Sequence, residues 1–143
     1  MMPKRRLALV LGTLSLLVCS CDKDKKVPVF AVRGQVRFNG QPVPQAFVVF
    51  HPQGLDSAEL VRPTSRTDKD GYFTLSTYTA DDGAPAGDYV VTVEWRPLVK
   101  GLSGDPEPGP NRLPDRYHSP ATSPLHVQIV EGPNDLQPLD VTP

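Results

Sequence analysis

From Ala31 the chain alternates apolar and polar residues with a period of two. Val32, Gly34, Val36 and Phe38 fall on one side and Arg33, Gln35 and Arg37 on the other, the pattern of a strand with one buried face. Asn39-Gly40 follows; both residues tolerate positive φ, so the pair marks a hairpin turn. The return strand is read at 45–51, with Ala46, Val48 and Phe50 inward and Phe47 and Val49 on the opposite face. Pro42, Pro44 and Pro52 flank it, because proline cannot donate to a central ladder. A second unit runs from a short edge strand at 62–66, through the turn Thr67-Asp68-Lys69-Asp70-Gly71, to a strand at 72–77 with Phe73 and Leu75 inward. The clearest strand is 88–96: Tyr89, Val91, Val93 and Trp95 face the core, and Val90, Thr92 and Glu94 face away. Later, Leu125, Val127 and Ile129 alternate with His126 and Gln128, and Gly132-Pro133-Asn134 turns the chain into a final hairpin closed by 136–141. About seven short strands with turns between them predict an all-β, antiparallel two-layer sandwich. No helical crossover pattern lies between strands, which argues against parallel pairing.

Composition narrows this further. A chain of 143 residues is expected to form one domain. Seventeen prolines and eleven glycines disfavour long helices. With 38% hydrophobic residues and a net charge of −1, the chain is not wholly disordered. No basic block follows the first few residues, so a nucleic-acid partner is not expected.

The N-terminus reads as an address. Lys4, Arg5 and Arg6 precede an apolar run at 7–18. Twelve residues of helix, at about 1.5 Å each, fall far short of a bilayer core, so 1–20 is expected to be a signal-peptide helix. Val18-Cys19-Ser20-Cys21 resembles the lipobox of bacterial lipoprotein precursors. That resemblance implies a diacylglyceryl group on the Cys21 thiol and cleavage just before it. The working chain then begins at Cys21, keeps no free thiol, and is held at the cell envelope, outside the cytoplasm, by a lipid anchor in the membrane. Residues 21–30 form a charged tether, and 31–143 the sandwich domain.

Three segments carry a second resemblance. Gly34-Gln35-Val36 with Asn39-Gly40-Gln41-Pro42-Val43-Pro44-Gln45-Ala46 resembles the opening of carboxypeptidase-regulatory-like domains. Thr67-Asp68-Lys69-Asp70-Gly71-Tyr72-Phe73-Thr74-Leu75 is similar to their second hairpin, and Pro85-Ala86-Gly87-Asp88-Tyr89-Val90-Val91-Thr92-Val93 to their late core strand. The resemblance implies a transthyretin-like (prealbumin-like) sandwich. With its lipobox, the whole chain is also similar to small envelope lipoproteins of planctomycete bacteria. Transthyretin-like sandwiches include the hydroxyisourate hydrolases, which carry a C-terminal Tyr-Arg-Gly-Ser signature. Here the final residues are Leu139-Asp140-Val141-Thr142-Pro143, so that activity is not expected.

The proline-rich loop expected at 97–124 is the place to look for function. Arg112, Asp115, Arg116, Tyr117 and His118 are its candidate binding residues, offering charge and an aromatic ring to an envelope protein or glycan. If Arg112, Asp115 and His118 converged, the cluster would serve a small hydrolase or an accessory subunit. Otherwise it anchors the loop, with Tyr117 tucked against the sandwich. Ser119 lacks the glycines of a nucleophile elbow. Asp68, Asp70, Asp81 and Asp82 raise a calcium- or carbohydrate-binding alternative. The spacing around Gly71 suits a β-turn better than a helix-flanked calcium loop. His51, His118 and His126 are scattered, so no metal, cofactor or catalytic residue is expected. The sequence therefore predicts a non-catalytic, lipid-anchored envelope protein whose sandwich binds or builds.

Overall fold

The computed structural model describes residues 26–54 and 61–143. The expected signal helix, Cys21 and the first half of the tether (21–25) lie outside them. The described residues form strands β1 (Val32–Phe38), β2 (Gln41–Pro42), β3 (Phe47–Pro52), β4 (Thr64–Arg66), β5 (Tyr72–Thr74), β6 (Gly87–Glu94), β7 (Leu98–Lys100), β8 (Pro106–Pro108), β9 (His126–Ile129), β10 (Asn134–Asp135) and β11 (Leu139–Val141). A single 3-10 turn spans Asp115–Tyr117, and there is no α-helix among the described residues. Eleven strands replace the expected seven because several are two or three residues long, too short to display a period of two.

The first sheet is centred on β1. On one edge β1 pairs antiparallel with β5 (Gly34 opposite Phe73) and β2 (Phe38 opposite Gln41). On its other edge β10 and β11 pair with it in parallel, Val32 opposite Asn134 and Val36 opposite Leu139. The expectation of a wholly antiparallel sandwich is therefore corrected. A parallel pair needs a long connection but not a helix; here the rest of the domain supplies it. The hairpin expected after residue 132 is replaced by a crossing between sheets. Asn134 pins that crossing: its amide donates to the carbonyls of Val130 (3.0 Å) and Gly132 (2.8 Å), and its oxygen accepts the Val130 N–H (3.0 Å).

The second sheet, in the order β4-β3-β6-β9, is antiparallel throughout. The expected hairpin partner of β1 is in fact part of this sheet. Asn39 (φ 51°) and Gly40 (φ 77°) do make the turn, but it closes on β2 before the chain passes to β3. Buried Thr67 holds the crossing, its hydroxyl donating to the Val43 carbonyl (2.6 Å) and accepting the Ala46 N–H (2.8 Å).

Between the sheets lies a core that includes Val32, Val36, Phe50, Phe73, Leu75, Val91, Val93 and Val141. Phe50 packs against Phe73 and Tyr89 with ring centroids 6.1 and 5.8 Å away. Gly34 is required there: a Cβ on it would sit 2.5 Å from the tip of the Phe73 ring. Val90 and Thr92, expected to face away, are buried too. They belong to a strand flanked on both sides, and His51 on β3 satisfies the Thr92 hydroxyl at 2.9 Å.

The 97–124 segment is less irregular than expected. It contains the β7–β8 hairpin and sends Leu113 and Tyr117 into the core. Phe30 meets the domain at the opposite end of β6 from the start of this segment. Phe30 is bridged to Ala84, three residues before β6 begins. Trp95 and the hairpin lie beyond its last residue, about 26 Å away at ~3.3 Å per residue.

Candidate binding groove

Register brings three side chains into line at that far end. Phe47 on β3 is paired with Arg66 on β4 and with Glu94 on β6. All three share the outer face of the second sheet, because directly opposed residues point the same way. Beyond them the chain turns through Trp95, Arg96 and Pro97 into the hairpin, and the return of residues 108–112 closes the other wall. The result is a groove of about 690 Å³ lined by Pro44, Phe47, Arg66, Trp95, Leu98 and Arg112, among others.

The floor is aromatic and the rim basic. The guanidinium carbon of Arg66 lies 5.6 Å from the Phe47 ring centroid, and that of Arg112 lies 5.6 Å from the Trp95 ring. Arg66 also donates to the Gln45 carbonyl at 3.1 Å. Among the described residues, no side-chain hydrogen bond engages the Arg112 guanidinium. Glu94, the carboxylate within the groove, is already held by Arg96 Nε (3.0 Å) and His118 Nδ1 (2.6 Å). Phe47 and Leu98 are exposed apolar side chains at 39% and 70%. Such a surface combines ring area with guanidinium groups.

The loop residues singled out from sequence divide among three places. Arg112 lines the groove. His118 binds Glu94 at its margin. Arg116 stacks on Tyr117 (4.8 Å) and donates to the carbonyls of Thr142 (2.6 Å) and Pro143 (2.7 Å). Tyr117 is buried, and its hydroxyl accepts the Thr142 N–H at 3.1 Å. Burial pushes that hydroxyl's pKa up, but the contacts with Thr142 and the Arg116 charge outweigh it and hold it below the ordinary tyrosine value. Asp115 is exposed and makes no side-chain hydrogen bond or ion pair with the described residues. The geometry is thus that of a loop anchor with one residue, Arg112, delivered to a groove.

The aspartates are likewise engaged in turns. Asp68 accepts the N–H groups of Asp70 (2.8 Å) and Tyr72 (2.9 Å), shaping the turn that ends at Gly71 (φ 77°). Asp82 accepts the N–H groups of Thr77, Tyr78 and Thr79 at 2.6–2.9 Å. Burial raises its carboxyl, but those three donors prevail and set it below the ordinary value. Among the described residues no three His, Cys, Asp or Glu side chains gather as a metal site would require. His51 is held below the ordinary histidine value by burial first and by the Arg62 charge second.

Phe47, Arg66 and Trp95 were missed as site residues. An apolar ring at an outward strand position is the one available sign of Phe47; Trp95, expected in the core, does pack against it while also lining the groove. Arg66 joins them through strand register, which sequence alone does not reveal.

No family model matches the chain, and no curated protein matches it. Two solved structures are similar in part. One is a 9R-lipoxygenase from Cyanothece PCC8801, 13% identical with a TM-score of 0.43, matched over 80% of this chain and 16% of its own. The other is a DUF3823 family protein from Parabacteroides merdae, 17% identical with a TM-score of 0.43, matched over 82% of this chain and 48% of its own. The chain spans less than half the length of either. The described residues form a small all-β domain of packed sheets.

Proposed function

We propose that this chain is a lipid-anchored envelope protein whose transthyretin-like, carboxypeptidase-regulatory-like sandwich binds a ligand without transforming it. The reading rests on one observation: the tether side and the groove occupy opposite ends of β6. A domain fixed to a bilayer through Cys21 then offers Phe47, Trp95, Arg66 and Arg112 away from that bilayer. Asp115 is exposed and contacts neither Arg112 nor His118 through a hydrogen bond or ion pair among the described residues, so the three-residue cluster that a hydrolase reading relied on is not assembled. Metabolic labelling with a fatty-acid analogue tests the anchor. The wild-type protein takes up label and Cys21→Ala does not; unchanged labelling of the variant overturns the anchored reading.

A further inference from the structure

We infer that the groove receives an acidic peptide segment, in which carboxylates neighbour apolar side chains. This rests on the binding reading above and gives it a ligand class. Three guanidinium groups, Arg66, Arg96 and Arg112, surround Glu94, whose oxygens are already engaged by Arg96 and His118. Arg66 and Arg112 are thus left without a carboxylate partner among the described residues, two positive charges open to an anion.

Arg66 and Arg112 rest against rings, which holds them in place before a ligand arrives; Arg66 gives one N–H to the Gln45 carbonyl, and the Arg112 guanidinium makes no side-chain hydrogen bond among the described residues. A carboxylate fits that fork with two parallel hydrogen bonds. Beside the forks, Phe47 and Leu98 offer exposed apolar surface to the ligand's neighbouring side chains. A neutral glycan fits less well, because the guanidinium groups of Arg66 and Arg112 favour an anionic partner. Bilayer headgroups fit less well too, because the tether meets the domain at the other end.

The chain's only tryptophan is Trp95, so its fluorescence reports the groove directly. The full-length protein in mild detergent is titrated with a hexapeptide alternating glutamate and leucine, and with its glutamine-leucine counterpart. The expected result is a saturable change in emission with the acidic peptide and affinity lower by about tenfold or more for the neutral one. Arg112→Gln weakens the acidic peptide by a similar factor, and Arg112→Lys, which keeps the charge without the fork, lies between. Far-UV circular dichroism of each variant confirms that it is folded. Equal affinity for the two peptides overturns acidic recognition but leaves a binding groove. So does a response to oligogalacturonate alone, or self-association abolished by Arg112→Gln, which would make a second copy the occupant. Silence toward every probe, including phosphatidylglycerol vesicles, overturns both the ligand class and the groove as a binding site.

Discussion

Arg112 and Trp95 are joined twice: the Arg112 N–H donates to the Trp95 carbonyl at 2.8 Å, and its guanidinium lies over the indole ring at 5.6 Å. The backbone bond fixes the loop against the end of β6, and the side-chain contact places a charge over the indole that lines the groove. A cation over an exposed ring contributes about 0.5–1 kcal/mol. Arg112→Ala is therefore expected to lower stability by no more than about 1 kcal/mol, while shifting Trp95 emission to longer wavelength as water reaches the ring. Denaturant unfolding together with an emission spectrum checks both.

Gly34→Ala tests the packing of the two faces of β1 and β5. The added methyl meets the tip of the Phe73 ring at 2.5 Å, so one of the two must shift. The expected loss is about 1–3 kcal/mol. Trimming the ring in the double variant Gly34→Ala with Phe73→Leu is expected to cost less than the two single losses added together. Additive losses would show that the ring is not the obstacle.

Thr67→Val keeps the shape of the side chain and removes its hydroxyl. The Ala46 N–H and the Val43 carbonyl then lose their partner at a position 1% exposed. Leaving buried polar groups unmatched costs about 2–4 kcal/mol for such a pair. Thr67→Ser, which retains the oxygen, is expected to lose much less in the same urea titration.

Stability is expected to fall at both extremes of pH. Asp82 titrates below its ordinary 3.8 in the folded chain, so its contribution is present above that pH and disappears as pH drops through the lowered folded value. Tyr89 moves the other way. Burial, with a smaller effect from Tyr78, pushes its phenol up from 10.0 to about 12, and its hydroxyl donates to the Pro85 carbonyl at 2.8 Å. Its contribution is full below pH 10 and is lost as pH rises toward about 12. Melting temperatures across pH should lose the acid limb in Asp82→Asn and soften the alkaline limb in Tyr89→Phe.

Much of the strand content was legible because β6 and β9 alternate cleanly and Asn39-Gly40 has few other uses. What escaped prediction was partnership. Val48 and Phe50 announce a buried strand, but nothing in their spacing says that β3 pairs with β6 rather than β1. That choice depends on Thr67 gripping residues 43 and 46 from a distant turn. Parallel pairing of β10 and β11 was excluded for lack of a helix, though any sufficiently long connection serves. Of the candidate site residues, Arg112 alone lines the groove, because Arg116 and Tyr117 are committed to Thr142. Phe47 and Arg66 stayed hidden, since residues 19 apart become neighbours only once β3 and β4 are in register.

The placement of β10 and β11 beside β1 bears on how the molecule comes into being. One whole edge of the first strand waits for partners about a hundred residues later, and the Arg37–Asp140 ion pair at 2.9 Å joins the same distant stretches. Such long-range closure slows folding. A ribosome-bound or half-delivered intermediate stopped before Asn134 would keep that edge open to stray strands. The first sheet therefore closes only once residues 134–141 are present to pair with the opening strand.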